Sequence, residues 1–303
     1  MADRREFIKG LVGGIALAGL SSLPMELFAL SDMTKLTILH TNDVHSRIDP
    51  FPANDPKYPN MGGVARRAAL IKKIRAFEKN VLLLDAGDIF QGTPYFNFYG
   101  GELEIKLMSM MGYDAATIGN HDFDNAVDGL YAQMPHATFQ FLSANYDFTH
   151  TVMNGHVKPY SVFVKDGVKI GVFGLGIELA GLVDPRMYKE TKYLDPLGIA
   201  QDMSRILKTQ EKCDLVICLS HLGYQYKEEK MSDLKLAGLT QDIDLIIGGH
   251  THTFLKKPTV TKNAIGKNVL VNQVGFAGLN LGRIDFYLDE AGNVTGDGVS
   301  ILV

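Results

Sequence analysis

The sequence predicts an α/β fold, and three observations carry the prediction. From residue 31 onward short apolar runs alternate with segments of helical periodicity. The runs are near-continuous Val, Ile and Leu, the pattern of strands buried on both faces. Beyond Pro258 the helical period stops and only strand-like runs remain, which predicts an antiparallel finish. The strand-like runs are "KLTILH", "VLLLDA", "DAATIG", "VKIGVFGL", "CDLVICLS" and "IDLIIGG", followed by "PTVTK", "KNVLVNQV" and the tail from Leu281 to Val303. Helical patterns fall near 64–78, 102–111, 125–133, 198–212 and 231–238. No repeat or linker interrupts the series, so one globular domain over 31–303 is expected.

With 303 residues, 46% hydrophobic and 21% charged, the chain can bury a large core, which excludes disordered and fibrous classes. A net charge of -4 argues against a protein that holds nucleic acid through its phosphates, and leaves small anionic substrates open. Bases cluster only locally, as at Lys72, Lys73 and Arg75, where a solvated helix face is expected. Cys213 and Cys218 would sit roughly 16 Å apart along an extended run, beyond disulfide reach, and read as core thiols.

Residues 1–30 read as an export signal of the twin-arginine type. Arg4 and Arg5 precede an apolar stretch from Leu11 to Leu20, and Pro24 follows. That stretch falls short of the roughly 20 residues a membrane helix needs, so no stable span is expected. The expected location is the periplasm or another exported compartment, with membrane tethering if the signal stays uncleaved. No AxA cleavage pattern is present, and Ala29 is the candidate cleavage position.

Five of the apolar runs lead directly into polar residues. They deliver Asp43 and His45, then Asp88, then Asn120, His121 and Asp124, then His221, and finally His250 and His252. Singly none is specific, but carboxyl ends of strands in one α/β sheet converge on one crevice. His136, His150 and His156 have no strand leading into them and read as loop residues. Residues two apart on an extended segment face the same way, so Asp43 with His45, and His250 with His252, are expected to reach one site. Adjacent residues face apart, so Asn120 can present its amide oxygen to a metal while His121 turns toward substrate. Gly119 is expected to permit a sharp turn there. Asp124 is placed to accept a hydrogen bond from the His121 ring, or to cap the helix starting near Asn125.

The seven candidate ligands, Asp43, His45, Asp88, Asn120, His221, His250 and His252, are too many for one tetrahedral ion and suit two ions sharing a carboxylate. Imidazoles with two carboxylates and an amide favour Zn, Mn, Fe or Co over Ca. Two divalent ions against Asp43 and Asp88 would leave the site about two units positive, which attracts a dianion and suits in-line displacement at phosphorus.

At this point the residues are recognisable. The series "LTILHTNDVHSR", "GGVARRAALI", "DAGDIFQGTP", "GNHDFD", "LSHLGY", "IDLIIGGHTHT" and "QVGFAGLNLGRI" resembles the catalytic domain of the bacterial 5′-nucleotidase family, within the calcineurin-like metallophosphoesterases. The resemblance runs from about residue 35 to 290. It implies a four-layer sandwich of two mixed β-sheets flanked by helices, with a dinuclear metal site at the strand carboxyl ends. Carried over, it makes Asp43, His45, Asp88 and His252 one metal site and Asp88, Asn120, His221 and His250 the other, with Asp88 bridging. It casts His121 and Asp124 as the catalytic dyad. Gln91 stands where the purple acid branch has a ligand Tyr, which sets that branch aside.

The implied function is an exported phosphomonoesterase that hydrolyses nucleoside 5′-phosphates. A phosphodiesterase acting on cyclic nucleotides or small diesters is the alternative, as is a catalytic subunit whose partner chain supplies nucleoside binding. A non-catalytic protein on the same scaffold fits less well, because every ligand position is filled. Two departures stand out. Asp122 occupies a position where the family often has Glu. Family enzymes also carry a second domain whose aromatic side chains stack on the base, whereas 51 residues follow His252 here. No base-reading surface is visible in the sequence, so broad ester specificity is expected.

Overall fold

Strand β1 (Thr34–Thr41) has its last six residues buried, as expected of an inner strand enclosed on both faces. The structure is a computed structural model that describes residues 33–303, so the expected export signal lies outside the described residues. Helix α1 (Val64–Arg75) crosses to β2 (Val81–Asp85), which pairs parallel with β1. Helices α2 (Pro94–Tyr99) and α3 (Glu102–Met111) lead to β3 (Ala115–Ala116), and α4 (Ala126–Gln133) to β4 (Gln140–Phe141). Both short strands extend the sheet in parallel.

After β5 (Tyr146–Asp147) the chain builds a second sheet. It begins with the antiparallel hairpin of β6 (Tyr160–Lys165) and β7 (Val168–Leu175). Helix α5 (Pro185–Tyr188) precedes β8 (Lys192–Tyr193), which pairs with β5 in a separate ribbon. Helix α6 (Pro196–Thr209) leads to β9 (Leu215–Ser220), and α7 (Asp233–Leu239) leads to β10 (Leu245–Gly248). Strands β11 (Thr259–Lys262) and β12 (Asn268–Asn272) complete this sheet. The chain then returns to the first sheet with β13 (Asn280–Leu288) and β14 (Val294–Leu302), β13 lying antiparallel to β1.

The sheet orders are β14-β13-β1-β2-β3-β4 and β11-β12-β10-β9-β7-β6, six strands in each. Alternation along each strand sets the layers. Leu36, Ile38, Leu82 and Leu84 of the first sheet meet Ile170, Val172, Ile217 and Leu245 of the second in one core. Leu39 and Leu83 point the other way, against Ile71 of α1 and Ile105 of α3. Phe173, Val216 and Ile246 pack under Ala200 and Leu207 of α6 and Leu236 of α7. The result is helices, sheet, sheet, helices: the expected four-layer α/β sandwich of two mixed sheets.

Some elements were not legible in the sequence. Hairpin strand β6 and helix α2 appear among its readings nowhere, and β12 pairs parallel with β10 within the finish read as antiparallel. Arg75 departs from the solvated face expected of it. Its guanidinium donates to the carbonyls of Met111 and Gly112, at 2.5 and 2.7 Å, and so caps the carboxyl end of α3. Cys213 and Cys218 are buried free thiols. Among the described residues no helix is long and apolar enough to cross a membrane.

Candidate active site

The loops after β1, β2, β3, β9 and β10 open at one edge of the sandwich. Asp43 and His45 follow β1, Asp88 follows β2, and Asn120 follows β3, all from the first sheet. His221 follows β9, and His250 and His252 follow β10, from the second. Two groups of ligand atoms gather there: Asp43, His45 and His252 in one, and Asp88, His221 and His250 in the other. Each group therefore draws on both sheets.

Asp43 and His45 fall in the same group, whereas His250 and His252 are divided between the two, and the extended backbone expected to align each pair is absent. None of the four is extended; their φ angles are 50°, 50°, 70° and 51°. Asp88, at φ 56°, shares this left-handed backbone. Non-glycine residues in that region carry local strain, and such residues concentrate at functional sites. Hydrogen bonds over-determine the strain here. The His250 N–H donates to both oxygens of Asp43, at 2.9 and 3.0 Å. Asn42 donates through Nδ2 to Asp43 Oδ2 and to the Gly275 carbonyl, each at 2.6 Å, and accepts from the Val274 N–H.

Gly119 also serves a purpose other than the turn expected of it. A Cβ there would lie 2.2 Å from Asp88 Oδ1 and 2.5 Å from the Asp88 backbone nitrogen, so glycine is required by close approach. Asp122, to which the sequence reading gave no role beyond a departure from the family's usual Glu, makes four backbone hydrogen bonds. Its fully buried carboxylate accepts from the backbone N–H groups of Asp88, Ile89, Phe90 and Gly119, at 3.1, 2.8, 3.2 and 2.8 Å. It thus locks the Asp88 loop to the Asn120 loop. The available signal was an acid flanked on both sides by site residues.

The imidazoles are oriented by their second nitrogens. His221 lies 2.7 Å through Nδ1 from the Ala86 carbonyl and His45 lies 3.2 Å through Nδ1 from that of Phe90, so each points Nε2 inward. The Nε2 atoms of His45 and His252 approach to 3.0 Å. His221 Nε2 is fully buried, makes no hydrogen bond, and stands 3.0 Å from Asp88 Oδ2. A buried, inward-aimed nitrogen without a hydrogen-bond partner, beside a carboxylate, is the donor geometry that a divalent cation satisfies. Asn120 Oδ1 lies 2.8 Å from His250 Nδ1, so the amide converges on the second group. The donor set and its geometry fit two ions.

Electrostatics agree. Burial pushes the His250 imidazole down to about 4 and lowers His45 as well, which keeps both rings neutral and able to ligate. Burial acts against a charged His221 too, but the Asp88 and Asp43 carboxylates beside it prevail and raise it. Burial would likewise raise Asp88, and the adjacent His221 holds it well below the usual carboxylate range instead. The cleft therefore favours positive charge at its floor.

His121 belongs to neither ligand group, although its backbone N–H donates to Asp88 Oδ1 at 2.8 Å. Its Nδ1 lies 2.9 Å from Asp124 Oδ2, and that hydrogen bond raises its pKa. Its ring meets the His45 ring edge-on, at 5.3 Å between centroids. The helix-capping role considered for Asp124 is not the one observed, because the residue before α4 is Asn125. His136, His150 and His156 take no part in either group.

The matched family decides how this geometry is read: residues 36–254 match the calcineurin-like phosphoesterases. The chain belongs to the calcineurin-like phosphoesterase family. Among its relatives in that family, the snake venom 5′-nucleotidase of Gloydius brevicauda is 35% identical over 281 residues, covering 86% of this chain and 46% of that protein. The structure of a 5′-nucleotidase precursor from Thermus thermophilus superposes with a TM-score of 0.81 at 35% identity, over 89% of this chain and 55% of that one. The Haemophilus influenzae NAD nucleotidase superposes with a TM-score of 0.76 at 28% identity, over 88% and 49%. This calcineurin-like phosphoesterase thus spans about half the length of such relatives, and carries the metallophosphoesterase domain of the 5′-nucleotidase type.

Proposed function

We propose that the chain is a dinuclear metal-dependent phosphomonoesterase whose first substrates are nucleoside 5′-phosphates. The observation that carries this reading is the convergence of two buried carboxylates and four imidazoles from both sheets into two groups, with the partly exposed His121–Asp124 pair beside the His45 ring. In this reading Asp43, His45 and His252 would hold one ion and Asn120, His221 and His250 the other, with the Asp88 carboxylate available to both. The ions are Zn, Mn or Fe. When bound, they polarise the phosphoryl oxygens and supply an acidified water for in-line attack.

The chain's own residues supply the rest. Asp124 holds the Nδ1 proton of His121, which fixes the ring and leaves Nε2 to pass a proton to the departing ester oxygen. Asp122 keeps the Asp88 and Asn120 loops in register, so that donors from separate strands meet at one point. We propose export for the same chain on the strength of Arg4, Arg5 and the apolar stretch behind them.

The test is phosphate release from AMP, ribose 5-phosphate, a cyclic nucleotide and an aryl diester by protein supplied with Mn or Zn, with Asp88→Ala as control. AMP turnover abolished in the variant supports the reading. Diester turnover exceeding monoester turnover would replace it with a phosphodiesterase, and absence of metal-dependent release would overturn it.

A further inference from the structure

We infer that Phe254, backed by Phe276 and Tyr58, is a stacking surface for a planar aromatic leaving group, which on the phosphomonoesterase reading above is the base of a nucleoside 5′-phosphate. Exposure alone does not single this residue out, since Phe77 and Phe98 are each 82% exposed against 45% for Phe254. Continuity with the metal groups does. The Phe276 ring lies nearly parallel to the His252 ring, 5.1 Å away at 11°. Phe254 is the next ring out, 6.0 Å from Phe276. Tyr58 closes the cluster, 5.8 Å from Phe276 and 6.4 Å from Phe254.

The backbone is arranged to hold Phe254 in this place. It lies two residues beyond His252 and bridges to Val274, so one short segment carries both the imidazole and the aromatic ring. Gly275, at φ +85°, gives the ring its seat, because a Cβ there would come within 2.2 Å of it. Ordinary loop packing accounts for the inner members of this region, Phe51, Ala277 and Leu279, which are buried together. It does not account for a ring held by a glycine and left half in water. Two cations stand at the rim, Arg47 over the Phe51 ring at 4.2 Å and Lys57 over the Tyr58 ring at 5.1 Å, beside the Asp55 carboxylate that accepts from the Lys57 and Tyr58 N–H groups. An apolar face with a divalent-ion cleft at its end complements an aromatic group joined to a phosphate. Such a surface would narrow the broad specificity expected from the sequence, in which Tyr58, Phe254 and Phe276 stand at separate positions.

The experiment compares kcat/KM for AMP with that for ribose 5-phosphate, two monoesters that differ by the base, in the wild-type chain and in Phe254→Ala and Phe254→Trp. The ratio is expected to exceed one in the wild type, to fall between about fivefold and a hundredfold in Phe254→Ala, as base-on-aromatic stacking is worth, and to recover in Phe254→Trp. A ratio unchanged by Phe254→Ala, whether both rates hold or both fall together, overturns the stacking surface while leaving the phosphomonoesterase intact. Wild-type protein that releases phosphate from neither ester counts against the phosphomonoesterase instead. Adenosine binding by calorimetry then reads the surface alone: affinity lost in Phe254→Ala supports it, and no wild-type affinity overturns it.

Discussion

At Gly119 one methyl group is enough to push Asp88 out of place. A Cβ there meets Asp88 Oδ1 at 2.2 Å and His221 Cε1 at 2.8 Å, and both belong to the second ligand group. Gly119→Ala is therefore expected to cost about 1–3 kcal/mol as overpacking and to lower bound metal well below that of the wild type. Metal analysis of the purified variant checks this; wild-type content would show that the loops can part without losing the site. Asp122 acts nearby through hydrogen bonds. Removing its carboxylate leaves four buried backbone donors without an acceptor, so Asp122→Ala is expected to lose about 3 kcal/mol or more in denaturant unfolding. His121 works differently again. It belongs to neither ligand group, so His121→Ala should keep its metal and lose about 10²- to 10⁴-fold in kcat, with a smaller loss in Asp124→Asn. Metal lost along with activity would instead make His121 part of the ligand shell. At this scale the sequence was legible where residue type and order decide, as in the carboxylates and imidazoles at the strand ends, six of which gather in two groups. It was not legible where chemistry depends on approach through space, as with Gly119 and the Asp122 carboxylate.

Among the elements, β1 and β12 share a polar contact inside the apolar core. The Asn272 amide of the second sheet donates to His40 Nε2 of the first at 2.8 Å, and His40 Nδ1 has no partner. Burial drives this imidazole down to about 3. The unfolded chain therefore binds one more proton than the native state between that value and the ordinary 6.5, and stability rises with pH across the window. Acidification from pH 7 to 5 is expected to remove about 2 kcal/mol through His40 alone. Melting His40→Gln and the wild type at both pH values isolates the contribution; an equal drop in the two would assign it to other groups. The strands themselves were readable because burial on both faces leaves continuous apolar runs. Helix α2, "PYFNFY", carries almost no polar face to set its period, and β4, β5 and β8 are two residues long, too short for alternation to register. Asp43 and His45 share a ligand group while His250 and His252 fall in different ones, and the extended backbone assumed for both pairs is not present. The extended backbone assumed for Asp43 stops at Thr41, and left-handed residues take over.

For the whole molecule, the two ligand groups span the junction between the sheets. Asp43, His45, Asp88 and Asn120 come from loops of the first sheet, and His221, His250 and His252 from loops of the second. An ion in either group therefore ties the sheets at the edge where the inter-sheet core of Leu36, Ile38, Ile217 and Leu245 ends. Ions that bind the native state and not the unfolded one stabilise it by mass action, about 2.7 kcal/mol at a hundredfold excess over Kd. In a chain of 303 residues that corresponds to a Tm lower by roughly 4–5 °C on chelation. The same argument locates the loosening. Amide hydrogen exchange on chelation is expected to rise first in the loops after β1 and β9 and to leave α1 and α6, on the outer layers, unchanged. Asp88→Ala, which removes the carboxylate proposed to serve both ions, should start at the lower Tm and respond little to chelator. A wild-type Tm indifferent to chelation, with metal shown to have left, would mean that the sheets hold together through their apolar core alone and that the ions serve the chemistry only.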